Sequence, residues 1–321
     1  MSGEFDLIDL IRRRVKQRSD VALGIGDDAA LLTVPNDQYL VVSTDTLNKG
    51  VHFPEDTAPE DIGYKSLAVN LSDLAAMGAM PAWASLAISL PDANIEWLEK
   101  FLDGFFELAD EHGVQLVGGD TTQGPLSITV TVQGFVPKNQ ALRRDAAKLG
   151  DEIWVTGSIG DAAGGLAQWR AQGLQSAKLR HRLDRPTPRV NIGIALRGIA
   201  NAAIDVSDGL LADLSHILLA SKLGAEIEVC RVPMSKPLLD HFPDDNERYR
   251  LQLSGGDDYE LCFTAPAHQS LAIEQALSDC DVVGTVIGHI VSGSEMKCFD
   301  ENGGIFELGK KGFEHFSHSI N

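Results

Sequence analysis

The chain has 321 residues, longer than a single hydrophobic core usually grows, so two domains are expected. Hydrophobic residues make up 44% and charged residues 23%, and no stretch approaches the roughly 18 uninterrupted apolar residues of a membrane span. With 46 acidic against 27 basic residues the net charge is −19; such a field repels nucleic acid and anionic lipid, and a phosphate enters only at a local exception or through a bound cation.

The opening MSGEFDLIDLIRRRVKQR puts its acidic residues before its basic cluster, the reverse of a signal peptide, so a cytoplasmic protein is expected. GIGDDAALL follows, with Asp27 and Asp28 side by side between glycines and an apolar run. A strand is predicted over 39–42, running on through LVVSTDT to Asp45. Thr57 and Glu60 form a capping-box pattern at the head of a helix that Gly78 and Pro81 end. Leu67, Leu71, Leu74 and Ala75 keep the spacing of its buried face, while Ser66, Asn70 and Asp73 line up on another side. A second helix is predicted over 94–112, with Trp97, Leu98, Phe101, Leu102, Phe105, Leu108 and Ala109 as its stripe and Gly113 as its stop.

Further strands are predicted over 114–117, 127–135, 152–156, 202–206, 225–229 and 259–264, which makes the architecture α/β or α+β. The turn-rich tract 148–150 marks the seam between two domains, 1–148 and 149–321. RLDRPTPRV, 182–190, reads as a surface connection into a helix. VQLVGGDTT and LQLSGGDDY both run strand, two glycines, aspartate; glycine pairs after strands are common turn material, so no repeat is inferred. Cys230, Cys262, Cys280 and Cys298 form no CxxC pair, which argues against a zinc site or a redox dithiol.

The aspartates gather at strand ends and turns, where side chains can converge at one edge of a sheet: Asp27 and Asp28, Asp45, Asp120 after Gly118-Gly119, Asp205 and Asp208 around Ser207, Asp257 and Asp258 after Gly255-Gly256. Singly, an aspartate after two glycines is often an Asx-turn or a helix cap, and Asp208 before GLLADL has that reading too. Asp73 is different, because a charge between Leu71 and Leu74 in an apolar helix is costly to bury without a partner. Taken together they suggest oxygen ligands for a hard divalent cation, with a metal-free turn as the alternative at each site. No GxxxxGK[ST], GxSxG or HExxH occurs, and carboxylates with few histidines favour magnesium over zinc or copper. In a doubled aspartate, one carboxylate can ligate metal while its neighbour holds the loop or a second ion.

GIGDDAALL, STDTLNKGVHF, AVNLSDLAAMGAMP, LVGGDTT, IDVSDGLLADL and LSGGDDYELCFT occur in this order along nearly the whole chain. This set resembles the thiamine-monophosphate kinase family, within the superfamily of aminoimidazole ribonucleotide synthetase and selenophosphate synthetase. The resemblance implies an N-terminal α/β domain, residues 1–148, that binds ATP and metal and whose sheet pairs with that of a second subunit, and a C-terminal α+β domain, 149–321. It implies ATP and thiamine monophosphate as partners, several Mg2+ ions, and active sites near the seam of a homodimer. Carried over by position, Asp28, Ser43, Thr44, Asp45, Asp73, Asp120, Asp205 and Asp208 are expected as magnesium ligands, and Gly119, Asp120, Arg144 and Ser207 as nucleotide contacts. His52, Glu260 and Phe313 match substrate positions, Phe313 standing where the family usually offers tryptophan or tyrosine.

Each of these has a plainer alternative: His52 as a core histidine, Arg144 as surface charge, Glu260 as an outward strand residue, Phe313 as core. Among relatives, a selenophosphate synthetase is disfavoured by the lack of any cysteine in the N-terminal region, and a hydrogenase-maturation protein by the final HSHSIN. Aminoimidazole ribonucleotide synthetase is the nearest enzyme rival, and an inactive nucleotide-binding regulator is the rival from another class.

Overall fold

The computed structural model describes residues 4–173 and 175–307, which form two compact units. The first comprises Met1–Ala75 and Ala79–Ala141, and the second comprises Ala76–Gly78 and Leu142–Asn321. Phe313 lies outside the described residues.

In the first unit the chain runs α1 (Glu4–Arg14), β1 (Val21–Leu23), β2 (Leu31–Leu32), β3 (Gln38–Asn48), α2 (Pro59–Ala76), β4 (Met80–Leu90), α3 (Ile95–Glu111), β5 (Gln115–Gln123) and β6 (Ser127–Pro137). The main sheet has the order β3-β6-β4-β5; β4 and β5 are parallel, and β6 runs antiparallel to β3 and β4. Parallel neighbours need a crossover, and α3 supplies the one between β4 and β5. Asn94 caps α3 by accepting from the Trp97 N–H, and Gly113, at φ +63°, turns the chain out of it. The predicted stripe is buried at Leu98, Phe101, Leu102, Phe105, Leu108 and Ala109.

Strand β4 was not among the predicted elements. MPAWASLAISL is alanine-rich and carries a proline, both poor strand signals. It is nevertheless central, between β6 and β5, and its pairing with β6 shifts register between Pro81 and Trp83, the irregularity that lets a strand accept proline.

Helices α2 and α3 meet backbone to backbone. A methyl group built on Gly63 would lie 1.9 Å from the Phe101 carbonyl oxygen, and one on Gly104 would lie 1.7 Å from that of Glu60. Neither backbone can yield without parting the helices, so Gly104→Ala should lower the unfolding free energy in urea by at least about 1–3 kcal/mol. Wild-type stability for that variant would contradict the contact.

The second unit contains β7 (Asp151–Thr156), α4 (Asp161–Arg170), α5 (Ala177–Asp184), α6 (Val190–Ala195), β8 (Ala202–Asp205), α7 (Leu210–Ser221), β9 (Gly224–Glu228), α8 (Lys236–His241), α9 (Asp245–Ser254), β10 (Leu261–Pro266), α10 (Ser270–Ser278), β11 (Gly284–Val291) and β12 (Met296–Phe299). Its six-stranded sheet has the order β12-β9-β11-β7-β10-β8, antiparallel except for β12 against β9. Ile153, Val155, Ile204, Ile227 and Ile287 pack with Leu210, Leu214 and Ile217 of α7 in one core. This is the expected α+β unit, with β11 and β12 added to the predicted strands.

The two glycine–aspartate echoes differ in context: VQLVGGDTT is strand β5, whereas LQLS is the end of helix α9. They are not a structural repeat.

Candidate functional site

In the first unit, paired residues on neighbouring strands share a face of the sheet, so its rows can be read from the register. One row runs Asp45, Val130, Leu86; the next runs Ser43, Val132, Ala84. The four apolar members are fully enclosed, and Ser43 and Asp45 stand at the β3 end of these buried rows. Helix α2 meets them with the polar side seen in the sequence: the Ser43 hydroxyl donates to Asp73, and the Asp45 N–H donates to Asn70 Oδ1 at 3.0 Å. Asn70, 1% exposed, also donates to the Ser66 carbonyl, so both ends of its amide are used.

Thr44 lies on the other face. Its hydroxyl pairs with that of Thr131 at 2.9 Å, in a threonine ladder with Thr46 and Thr129, so the structure does not bring it to Asp45 and Asp73. This follows from strand alternation, since side chains of neighbours in sequence point to opposite faces.

Asp28, Gly119 and Asp120 come together in a cleft of about 450 Å³, walled also by Ile8 and Ile11 of α1. The Asp27 carboxylate accepts from the Asp28 N–H at 2.8 Å, so the first aspartate of the doublet braces the turn; both are exposed. Gly119 has φ +151°, and a Cβ there would sit 1.8 Å from the Leu86 carbonyl oxygen; only glycine lets the two backbones approach so closely.

The His52 ring accepts at Nδ1 from the Asn48 N–H, 2.9 Å away, which puts the proton of the neutral ring on Nε2. Lys65, fully buried, donates to the His52 carbonyl at 3.0 Å and anchors the same turn.

In the second unit, Asp205 ends β8, 3% exposed, and the chain turns through Ser207 and Asp208 into α7. Asp213, three residues inside that helix, accepts at a single oxygen from the N–H groups of Ser207, Asp208 and Gly209 at 2.9, 3.0 and 3.1 Å. Burial first, then the nearby Asp208 carboxylate, pushes Asp213 up to about 7 against the pull of those N–H groups. From the other side, the Asp257 N–H donates to the Ser207 carbonyl and the Tyr259 N–H to that of Val206. A Cβ on Gly256 would lie 2.2 Å from the Ser207 oxygen, so the glycine pair serves close packing. Asp257 and Tyr259 adopt φ values of +67° and +51°, which L-residues rarely take.

Arg143 is bound in both directions to the Asp145 carboxylate, at 2.8 and 2.6 Å. Arg144 is exposed, makes no ion pair with a described residue, and is tied only through its carbonyl, which accepts from Ser221. Of the two arginines it is the one able to meet an anion.

Glu260, expected at a substrate position, is enclosed within the second unit. It is 0% exposed and accepts from Thr156 Oγ1 at 2.6 Å, Arg182 Nη2 at 2.9 Å, Arg189 Nε at 2.6 Å and Arg189 Nη2 at 2.5 Å. Every lone-pair direction of the carboxylate is taken within the protein. The expected surface tract 182–190 therefore turns two of its arginines inward, a pairing that local sequence cannot reveal because Glu260 is some seventy residues away.

The glycine-containing turn 157–161 has its polar groups engaged within the protein. The Gly160 N–H at the head of α4 donates to both oxygens of Asp258, whose carboxyl burial holds well above the usual range, and Asp161 accepts from Ser158 and Ser235.

Among the described residues no three His, Cys, Asp or Glu side chains converge closely enough to hold a metal by themselves. The donors are hard oxygens, singly or in pairs. That suits a cation which takes one or two protein carboxylates and completes its shell with phosphate and water, and it does not suit zinc.

The family model for the AIR synthase related protein, N-terminal domain, matches residues 26–136, and that for the C-terminal domain matches 148–301, so fold and site together define a member of this two-domain class. The chain is 50% identical over 322 residues to the thiamine-monophosphate kinase of Escherichia coli K12, covering 98% of each. The crystal structure of thiamine-monophosphate kinase from Stenotrophomonas maltophilia K279a superposes with a TM-score of 0.87 at 52% identity, over 92% of this chain and 96% of that one. AaThiL complexed with AMPPCP and TMP does so with a TM-score of 0.78 at 31% identity, over 98% and 97%. The chain belongs to the thiamine-monophosphate kinase family.

Proposed function

We infer that the protein transfers the γ-phosphoryl group of ATP to the phosphate of thiamine monophosphate, giving thiamine diphosphate and ADP. The observation that carries this reading is half-identity along the whole length to a thiamine-monophosphate kinase, supported by a relative that is complexed with both an ATP analogue and TMP.

The chemistry agrees with the side chains. A phosphate monoester has its second pKa near ~6, so at pH 7 the attacking oxygen is already deprotonated and no general base is needed. The barrier is the approach of two polyanions, and the protein must hold them in line. Bound magnesium offsets their charge. In the first unit we assign Asp28, Asp45, Asp73 and Asp120 to hold magnesium, with Ser43 and Thr44 as further oxygen donors; in the second unit, taken by itself, we assign Asp205 and Asp208 to the same task. Gly119 admits the nucleotide close to the backbone, Arg144 meets a phosphate through its planar fork, and Ser207 adds a hydroxyl. His52, whose ring Asn48 orients through Nδ1, is the residue we assign to the substrate in this unit. In this reading residues 1–148 form the nucleotide- and metal-binding domain.

We also assign a homodimer, formed through the sheet of the first unit. Tyr39, Leu40 and Val42 of its edge strand β3 are 50%, 43% and 55% exposed, and Met80 of β4 is 46% exposed, more apolar surface than a strand edge usually offers to water. Among the described residues no helix is long and apolar enough to cross a membrane. A cytoplasmic setting, where ATP and reduced thiols coexist, fits the four free cysteines.

Incubation with ATP, magnesium and thiamine monophosphate should yield thiamine diphosphate and ADP in equal amounts. ATP binding without product would favour a regulator, and turnover only on an aminoimidazole ribonucleotide precursor would favour the enzyme rival.

A further inference from the structure

Three consecutive backbone N–H groups that converge on one point form a concavity that binds anions, and in many phosphate-handling proteins such a nest takes the phosphate itself. In this chain the nest made by Ser207, Asp208 and Gly209 is already filled by one oxygen of Asp213, a side chain 3% exposed and held by helix α7. The three bonds draw the N–H groups inward. The Asp208 carboxylate, by contrast, has no hydrogen bond or ion pair with a described residue, and Ser207 and Asp208 are only half-buried. The carbonyl side of the turn is pinned separately by Asp257 and Tyr259, so both polar edges of the backbone are fixed and the side chains are left to face outward.

We propose that Asp213 is a positioning residue: it occupies the nest in place of a phosphate and sets the Ser207 hydroxyl and Asp208 carboxylate in the orientation that receives the cation and nucleotide. A ligand phosphate is thereby denied the bare N–H groups and is gripped here through the Ser207 hydroxyl and through Asp208 and what it binds. The plainer role, a cap on the first turn of α7, would cost stability but leave cation and nucleotide affinity alone.

The proposal rests on assigning Asp208 to the cation and Ser207 to the nucleotide, and the experiment separates the two. Full-length wild type, Asp213→Ala, Asp213→Asn and Asp208→Asn are compared by calorimetric titration with magnesium alone, by KM for ATP and for thiamine monophosphate, and by thermal unfolding. Asp213→Ala should weaken magnesium binding and raise KM for ATP by about tenfold or more, the size of effect seen when a supporting partner of a ligand is lost, with KM for thiamine monophosphate within twofold. Asp213→Asn, whose amide oxygen can accept the same three bonds, should recover most of both. A folded Asp213→Ala that loses only thermal stability overturns the proposal. Should the alanine variant not fold, Asp213→Glu, which displaces the acceptor by one methylene, takes its place, and unchanged magnesium and ATP affinities there overturn it equally. Unaltered magnesium binding in Asp208→Asn would defeat the cation assignment itself; impaired binding in Asp208→Asn with normal Asp213→Ala defeats only the positioning role.

Discussion

Replacing Asp45 or Asp73 by asparagine should lower the rate of thiamine diphosphate formation by on the order of 10³, with the thermal unfolding midpoint close to that of wild type. Asparagine keeps the shape and removes the charge. Asp45 is held through its backbone N–H by Asn70, a bond that does not involve its side chain, and an amide oxygen at position 73 can still accept from the Ser43 hydroxyl. Both of these bonds survive the substitution while the negative charge that would hold the cation is gone. Steady-state assay of both variants at saturating ATP, alongside thermal melts, checks this. A well-folded Asp45→Asn/Asp73→Asn double variant with appreciable turnover would show that these carboxylates are not part of the catalytic apparatus.

The second large effect concerns stability. Glu260→Leu should cost about 3–5 kcal/mol, because it strands two largely enclosed guanidiniums, Arg182 and Arg189, without their carboxylate. Adding Arg182→Met and Arg189→Leu should restore much of the loss, since burying three apolar chains removes the uncompensated charge. Chemical denaturation of the single and triple variants measures both. A further variant tests the alternative: a Glu260→Gln protein with wild-type stability but a strongly raised KM for thiamine monophosphate would return Glu260 to direct substrate contact. The opposite pattern is expected, because a carboxylate that already accepts from Thr156, Arg182 and Arg189 has nothing left to offer a thiazolium ring.

These two cases mark the reach of local sequence. Asp73 was conspicuous because a charge inside an apolar helix demands a partner, and the partner, Ser43, lies across the β3 face. Asn70 sat on the same polar side, three residues earlier, and its task of holding the Asp45 backbone follows from the same geometry. Asp213 gave a fainter signal, an aspartate in GLLADL that reads as one more polar residue on a helix until the turn before it is folded back. Arg182 and Arg189 gave none, since charged residues around two prolines look like surface.

The α/β character with two domains, the buried stripe of α3, the polar side of α2 and the motif set that marks the family were determined by the sequence itself, because each rests on periodicity or on residues close along the chain, whereas β4, β11 and β12 were not. Only the tertiary structure decided that Asp27 braces its turn, that the Thr44 side chain faces away from that of Asp45, and that Glu260 is spent on two arginines. Those outcomes depend on strand register and on pairs separated by tens of residues, and a hydrogen bond between distant side chains leaves no mark on the local pattern of either partner.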